Sequence, residues 1–487
     1  MFSRDYNELE SDLRRQPSSF WVERGQRMAL DLFNRASKQV PAYKDFLEKN
    51  GVQPQSIKTI NDFKKLPLLN KENYISCYEL ADMCWDGSVT QGSTFAFSSG
   101  VATGQPMLWP RFKEQELEAA AIHGVIFDEV FSTYQNPTLF IVCFHLGAHI
   151  AGMVTADAIK RLLDEGMPGG LITPGLEKED IIKSLELIAP NFKQTILIGY
   201  PPFLKDIIDI CEKTDINCKA INIKFIFSGE SFPEAWRQKL LLRTNQEKNI
   251  GSINIYGSAD LGFMAHETPY TIELRNLAAT DATLAGRLGG TTEFVPPVYQ
   301  YYPGHKFFEE VNNNLVITAP SGLPLIRYDI CDRGLLLSSE DMYNYQNRLS
   351  PGLVFSKYHL PAVSVLGRSN YAITIYALNI YPEHIRDILN KNELSRIVTG
   401  KFFMRTMYDS KEDQYFEIHL ETLFEWPSED VGSTLSEIIS TYLMDVNQEY
   451  KKLVGAVGSR AWPHIVVYPN NSSDFLSLKG KNRYIIK

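Results

Sequence analysis

The chain has 487 residues, 44% hydrophobic and 22% charged, with a formal net charge of −9. That length exceeds one ordinary core and implies two domains or one large α/β body with an appendage, while the acidic balance argues against a nucleic-acid partner. No uncharged apolar stretch reaches membrane-spanning length, and Met1-Phe2-Ser3-Arg4-Asp5 lacks the basic end and apolar run of a signal peptide, so no membrane association is expected and the reading is cytoplasmic.

In chain order, Phe20 to Ala36 and Ala42 to Lys49 read as helices interrupted at Val40-Pro41, where proline cannot continue the ladder. A short helix begins at Ile60-Asn61-Asp62-Phe63 and ends before Leu66-Pro67. Beyond Gln91, short apolar runs alternate with helical periods. Leu139 to Phe144, Thr195 to Ile198, Ile223 to Phe227 and Ile253 to Tyr256 read as buried strands. Helices near Lys113 to Phe127, Glu177 to Ile188, Pro202 to Lys213 and Pro233 to Leu241 separate them. Such alternation implies a parallel sheet covered on both faces, with ligands at the carboxyl ends of the strands.

From Gly290 to Leu337 the reading is mainly β, with strands at Asn314 to Thr318 and Leu325 to Tyr328. Past Leu366-Gly367-Arg368 comes a smaller α+β unit. Its strands are Ala372 to Tyr376, Phe402 to Met407, Gln414 to Leu420 and Ile465 to Tyr468, and its helices Tyr381 to Asn390 and Ser433 to Val446. The expected boundary lies near Asn370, dividing a large domain over 1–369, with a helical lead-in over 1–90, from a small one over 370–487.

The six cysteines are scattered and none forms a C-x2-C pair, so they read as reduced thiols. Cys211 and Cys218 read as core or near-surface thiols, and Cys331 as packing rather than a nucleophile, since no nearby His or Lys would lower its pKa. His145 and His149 stand at i and i+4, a metal-binding spacing on a helix, but no Glu lies between them and packing or pocket lining is favoured over metal.

Three stretches carry chemistry. Phe97-Ser98-Ser99-Gly100-Val101-Ala102-Thr103-Gly104-Gln105-Pro106 is a hydroxyl-and-glycine loop suited to an anion, though such turns also occur without a ligand. Ile223 to Phe227 ends in Ser228-Gly229-Glu230-Ser231, and Ile253 to Tyr256 in Gly257-Ser258-Ala259-Asp260. Read without a ligand, Asp260 is a helix N-cap before Leu261 and Asp332 a turn residue before Gly334. No Gly-Lys-Ser/Thr follows the glycines and no G-x-G-x-x-G joins a strand to a helix, which disfavours a Walker loop and a dinucleotide fold.

Taken in order, these stretches resemble the adenylate-forming (acyl/aryl-CoA synthetase) superfamily, most closely its phenylacetate–CoA ligase-like branch. Val40-Pro41-Ala42-Tyr43, Asp62-Phe63, Leu66-Pro67 and Asn70-Lys71 are similar to that branch's helical lead-in. The opening loop is similar to its Ser-Ser-Gly-Thr-Thr-Gly-x-Pro phosphate loop, and Tyr256-Gly257-Ser258-Ala259-Asp260 to its Tyr-Gly-x-Ser/Thr-Glu. Arg327-Tyr328-Asp329-Ile330-Cys331-Asp332 is similar to its Arg-Tyr-x-Thr-x-Asp, Gly367-Arg368-Ser369-Asn370 to its hinge, and Gly480-Lys481 to the site of its catalytic lysine.

The resemblance implies an α/β fold: a large adenylate-forming domain with parallel sheets and a β-rich subdomain, and a small mobile α+β lid. It implies that Ser98, Ser99, Gly100, Thr103 and Gly104 cradle phosphates and that Asp260 binds Mg²⁺. Tyr256, with Gly257 and Ser258, would stack on adenine, Gly229, Glu230 and Ser231 would line the base, Asp332 would hold the ribose, and Arg368 would reach ribose or phosphate. Lys481 would bridge acyl and phosphate oxygens, with Lys479 as the alternate, and Asn370 would be the hinge. His149, Tyr200, Gly229 and Phe232 would line the pocket of an aryl or other hydrophobic carboxylic acid.

The chain departs from that pattern in four places. The phosphate loop has an extra residue and Val101-Ala102 in place of hydroxyls; Asp260 is one methylene shorter than the usual glutamate and follows Ala259; Asn370 and Tyr376-Ala377 replace Asp and Arg-Gly. The implied activity is that of an AMP-forming acid–thiol ligase using ATP and Mg²⁺, with CoA as acceptor. A carrier-protein thiol or an amine is the alternative acceptor, a non-catalytic nucleotide- or acid-binding protein the second alternative. The oligomeric state is left open, a dimer included.

Overall fold

The apolar runs of the middle of the chain lie side by side because each is buried on both faces, as parallel strands between helices must be. The computed structural model describes residues 2–90, 94–98, 107–147, 150–214, 216–246, 250–292, 294–346, 358–368, 373–376, 378–389, 394–423, 430–470, 472 and 475. The chain divides into two compact units, one drawn mainly from the chain up to Gly367, the other mainly from Arg368 onward.

The larger unit begins with helices Tyr6–Arg15, Ser18–Gln39 and Pro41–Lys49. Val40 ends the second and caps the third, since Pro41 lacks an N–H and is tolerated only in a first turn. Strands β1 (Thr94–Ser98) and β2 (Met107–Arg111) pair on either side of the glycine-rich stretch. Then come β3 (Thr138–Cys143), β4 (Gly169–Ile172), β5 (Gln194–Gly199), β6 (Ile223–Ser228) and β7 (Ser252–Ser258). They run parallel in the order β4-β3-β5-β6-β7. Helices Ile150–Asp164, Lys178–Leu187, Pro201–Lys213 and Glu234–Arg243 supply the crossovers.

The β-rich part expected from Gly290 onward shares this sheet with the parallel strands. It continues the same sheet through β8 (Gly262–His266), β9 (Val298–Tyr301), β10 (Phe307–Val311), β11 (Asn314–Ala319), β12 (Leu325–Leu337) and β13 (Ala362–Arg368). Eleven strands run in the order β10-β11-β12-β13-β9-β8-β7-β6-β5-β3-β4. The cause is a tight reversal at Ala259-Asp260-Leu261: β8 folds back antiparallel on β7, the Leu261 N–H donates to Ser258 Oγ at 3.2 Å, and Gly262 takes φ +68°. The site lies where the sheet changes from parallel to antiparallel.

Strand β12 runs well beyond the expected Leu325 to Tyr328, because left-handed Arg327 (φ 50°) and Cys331 (φ 63°) absorb irregularities without ending it. Asp332 is therefore a strand residue and not a turn residue, and Asp260 sits in a hairpin turn and not at a helix N-cap. Cys331 is exposed on this bulged backbone, contrary to the packing expected for it, while Cys211 and Cys218 are buried and unbridged.

In the smaller unit, β14 (Ile373–Ile375) and β15 (Leu378–Ile380) form a hairpin. Strands β16 (Val398–Tyr408), β17 (Gln414–Thr422) and β18 (His464–Tyr468) form a mixed sheet. Helices Pro382–Leu389, Asp430–Val446 and Gln448–Val457 complete it, and its buried residues include Ile385, Phe402, Met404, Phe416, Ile418, Ile439 and Leu443. Among the described residues, no helix is long and apolar enough to cross a membrane.

Candidate active site

Parallel register brings the carboxyl ends of β3, β5, β6 and β7 to one edge of the sheet, where open α/β sheets bind ligands. Asp260 stands at this edge, its side chain only 5% exposed. A buried carboxylate needs donors or a counter-charge. It has both on Oδ2: the Tyr328 hydroxyl donates at 2.6 Å and the Lys71 ammonium lies at 3.5 Å. Oδ1 has no partner among the described residues.

Tyr328 reaches Asp260 from β12, and four residues along that strand Asp332 accepts a 2.6 Å hydrogen bond from the Tyr256 hydroxyl of β7. The Tyr256 ring stacks on Tyr299 with centroids 5.6 Å apart, which fixes its plane at the sheet edge. Two tyrosine–carboxylate pairs thus cross the site in opposite directions.

The turn after β6 is held from behind. Gly229 takes φ +98°, and its neighbour Glu230 accepts a hydrogen bond on its carbonyl from Asn254 Nδ2 at 2.9 Å. Asn254 Nδ2 also donates to the Tyr299 hydroxyl, tying the turn to the ring stacked on Tyr256. Arg275 donates to the Phe232 carbonyl at 2.9 Å and pairs with Glu234. Deeper, Glu267 accepts from the Asn254 N–H and pairs with Arg237 at 2.7 Å. Burial pushes the Glu267 carboxyl up, against the pull of that guanidinium.

A second charged group lies behind the hairpin. A Cβ on Gly262 would meet Arg111 Nη1 at 3.0 Å, so Arg111, itself paired with Glu116 at 2.6 Å, packs directly against the turn-bearing strand. Nearby, Glu118 accepts from or pairs with His305, whose pKa burial lowers to about 4. Burial also lowers the Lys306 amine to about 7, with Arg111 adding to that effect and Glu118 opposing it.

Of the expected site residues, Tyr256, Gly257, Ser258, Asp260, Asp332, Gly229, Glu230, Ser231 and Phe232 lie on the carboxyl-end turns and strands just described. Phe232 is buried, its ring 5.0 Å from both Phe227 and Trp236, so it contributes chiefly its backbone turn. Tyr200 directly follows β5 and is half-buried. Ser98 and Arg368 are the last residues of β1 and β13. Ser99, Gly100, Thr103, Gly104, His149, Asn370, Lys479 and Lys481 lie outside the described residues. The helix after His149 begins at Ile150, so His145 is in the loop before it and the helical i,i+4 metal spacing does not arise.

The sequence reading assigned no chemistry to Lys71 or Arg111. Lys71 was visible only as part of the lead-in motif; nothing local marks its meeting with Asp260, far along the chain.

Comparison with models of protein families and with curated proteins finds no match. Solved structures do match. The whole chain aligns with 94% of 2-hydroxyisobutyryl-CoA ligase in complex with 2-HIB-AMP and CoA in the thioesterification state, at 14% identity and a TM-score of 0.67. The same ligase in the postadenylation state with R3-HIB-AMP matches over 98% of this chain and 91% of its own, at 14% identity and 0.55. The chain has the adenylate-forming fold. Its large mixed sheet with helices and its small β-rich C-terminal part are the two parts of that fold.

Proposed function

We propose that the protein activates a carboxylic acid with ATP and transfers the acyl group to an acceptor. A carboxylate oxygen attacks the α-phosphorus, the bond to the bridging oxygen breaks, and pyrophosphate leaves an acyl-adenylate. The observation that carries the reading is the pairing across β12, with Asp260 held by Lys71 and Tyr328 and Asp332 held by Tyr256. Such chemistry needs anionic charge neutralised beside the phosphates and oriented acceptors for the ribose hydroxyls. Lys71 supplies a cation at the turn; Asp332 supplies an acceptor that the Tyr256 hydroxyl orients.

Mg²⁺ commonly takes one or two carboxylates and completes its shell with phosphates and water. The Oδ1 of Asp260, without a partner among the described residues, fits that role, and the ion would neutralise charge on the phosphates. Gly229, Glu230 and Ser231 would face the base, Lys481 would bridge acyl and phosphate oxygens, and the unit after Asn370 would act as a lid between half-reactions.

The acceptor we favour is the CoA thiol. A carrier-protein thiol or an amine is the second reading, favoured by the β14–β15 hairpin. There Tyr376 stands where the resemblance implies an Arg-Gly pair; it is 5% exposed, with φ +47° and its N–H bonded to Gln414 Oε1 at 2.7 Å.

Pyrophosphate release with MgATP and a panel of aryl and aliphatic acids, with and without CoA, tests the reading. Acid-dependent release and a CoA thioester support it; a stable adenylate indifferent to CoA selects the second reading. No release with any acid while nucleotide still binds refutes catalysis. Lys481→Ala should lose most adenylation and retain thioester formation from preformed adenylate.

A further inference from the structure

Lys71 is more than a third exposed along its side chain, yet its ammonium is held beside the buried Asp260. A long lysine side chain in that condition loses considerable rotamer freedom when it is fixed, so its backbone must be placed first. The chain from Leu66 to Asn70 does this by lying along β12. Leu69 donates its N–H to the Arg327 carbonyl at 3.1 Å and accepts the Asp329 N–H at 2.8 Å, on either side of Tyr328, the residue that also grips Asp260.

Arg327 makes that arrangement possible in two ways. Its left-handed backbone, uncommon for a non-glycine residue, accompanies a shift in the β11–β12 register and is fixed by its N–H donating to Thr318 Oγ1 at 2.9 Å. Its side chain, 5% exposed, pairs through Nε with Glu309 at 3.0 Å and through Nη1 donates to the Leu66 carbonyl. The guanidinium fork therefore joins the core of the antiparallel sheet to the residue where the lead-in segment begins its run along β12.

We propose that Arg327 is a positioning residue for the phosphate side of the site: it anchors the Leu66–Asn70 segment on β12 and through it holds Lys71 over Asp260. This rests on the reading that nucleotide phosphates lie at Asp260. Arg327 itself touches no substrate, and its contribution passes through the lead-in segment.

The test uses Arg327→Met, Arg327→Lys, Lys71→Met and the Arg327→Met/Lys71→Met double variant of the full chain. Two quantities are read: the MgATP KM and kcat for pyrophosphate release, and the rate at which acetic anhydride acylates the Lys71 amine without nucleotide, followed by mass spectrometry. Arg327→Met should raise the MgATP KM on the order of tenfold, with little further change once Lys71 is already methionine. It should also raise Lys71 acylation severalfold over the parent, with Arg327→Lys intermediate because it keeps the charge at Glu309 and loses the fork. Additive effects in the double variant, or unchanged Lys71 acylation, would overturn the proposal. If Arg327→Met does not fold, Arg327→Lys carries both readouts, judged by the same criteria. Should the parent release no pyrophosphate, the nucleotide reading fails and the acylation rate still decides whether Arg327 places Lys71.

Discussion

Asp260, in the turn between β7 and β8, and Asp332, on β12, are each 7% exposed, and each accepts a tyrosine hydroxyl at 2.6 Å. They differ in the partners that hold them: Asp260 has an ammonium at 3.5 Å beside its tyrosine, and Asp332 is oriented by the Tyr256 hydroxyl. A carboxylate beside a cation makes a neutral setting into which phosphates and a metal can come without repulsion. A carboxylate oriented by a neutral hydroxyl keeps its full acceptor strength for uncharged hydroxyls. On the proposed function, two similar pairs would then serve two different subsites.

That difference orders the expected mutant effects. Asp260→Asn leaves the Lys71 charge uncompensated and removes the proposed metal ligand; kcat for pyrophosphate release should fall on the order of a hundredfold or more at saturating MgATP. Lys71→Met should cost less, raising the MgATP KM on the order of tenfold to thirtyfold, because the side chain is partly exposed and water replaces it in part. Equal losses in kcat from Asp260→Asn and Asp332→Asn, measured side by side, would dissolve the distinction. Tyr256→Phe removes one hydrogen bond to a charged acceptor and should raise the MgATP KM about tenfold with kcat little changed.

The buried group behind Gly262 bears on how such measurements are read across pH. The folded pKa of Lys306, lowered by burial to about 7, lies below its ordinary 10.5. Below pH 7 both folded and unfolded chains carry the proton and the full penalty is present; between these values the unfolded chain holds more protons, so stability rises with pH. Relative to Lys306→Met, the parent should therefore gain up to about 1.4 kcal/mol per pH unit from pH 7.5 to 9.5 in urea unfolding, and nothing between pH 5.5 and 6.5. A flat difference across the whole range would show that Lys306 keeps its ordinary pKa.

Much of the fold was legible because its strands have a simple cause. Leu139 to Phe144 and Ile196 to Ile198 are apolar throughout, and β3 and β5 are buried at every position. The strand Gly169–Ile172 escaped notice because its two glycines carry no hydrophobic signal, and Tyr6–Arg15 because only Leu9 and Leu13 of that polar helix are buried. At the site, Tyr256, Asp260 and Asp332 were legible as polar residues at strand ends or in an aligned motif. Lys71, Arg111 and the anchoring role of Arg327 were not, since each depends on a tertiary meeting: a lead-in segment along β12, an arginine against a glycine, a guanidinium on a distant carbonyl. The hairpin turn at Asp260, where β8 folds back on β7, was not legible either, since Ala259-Asp260-Leu261 carries no glycine or proline turn signal of its own.

The division between the two carboxylates is tested most directly by comparing ATP with 3′-deoxy-ATP in acid-dependent pyrophosphate release by the parent, Asp332→Asn and Asp260→Asn. The account predicts that the parent loses on the order of tenfold in kcat/KM with the deoxy nucleotide, that Asp332→Asn barely distinguishes the two, and that Asp260→Asn keeps the parent's ratio. A parent-like ratio in Asp332→Asn, or a ratio abolished by Asp260→Asn, would contradict it.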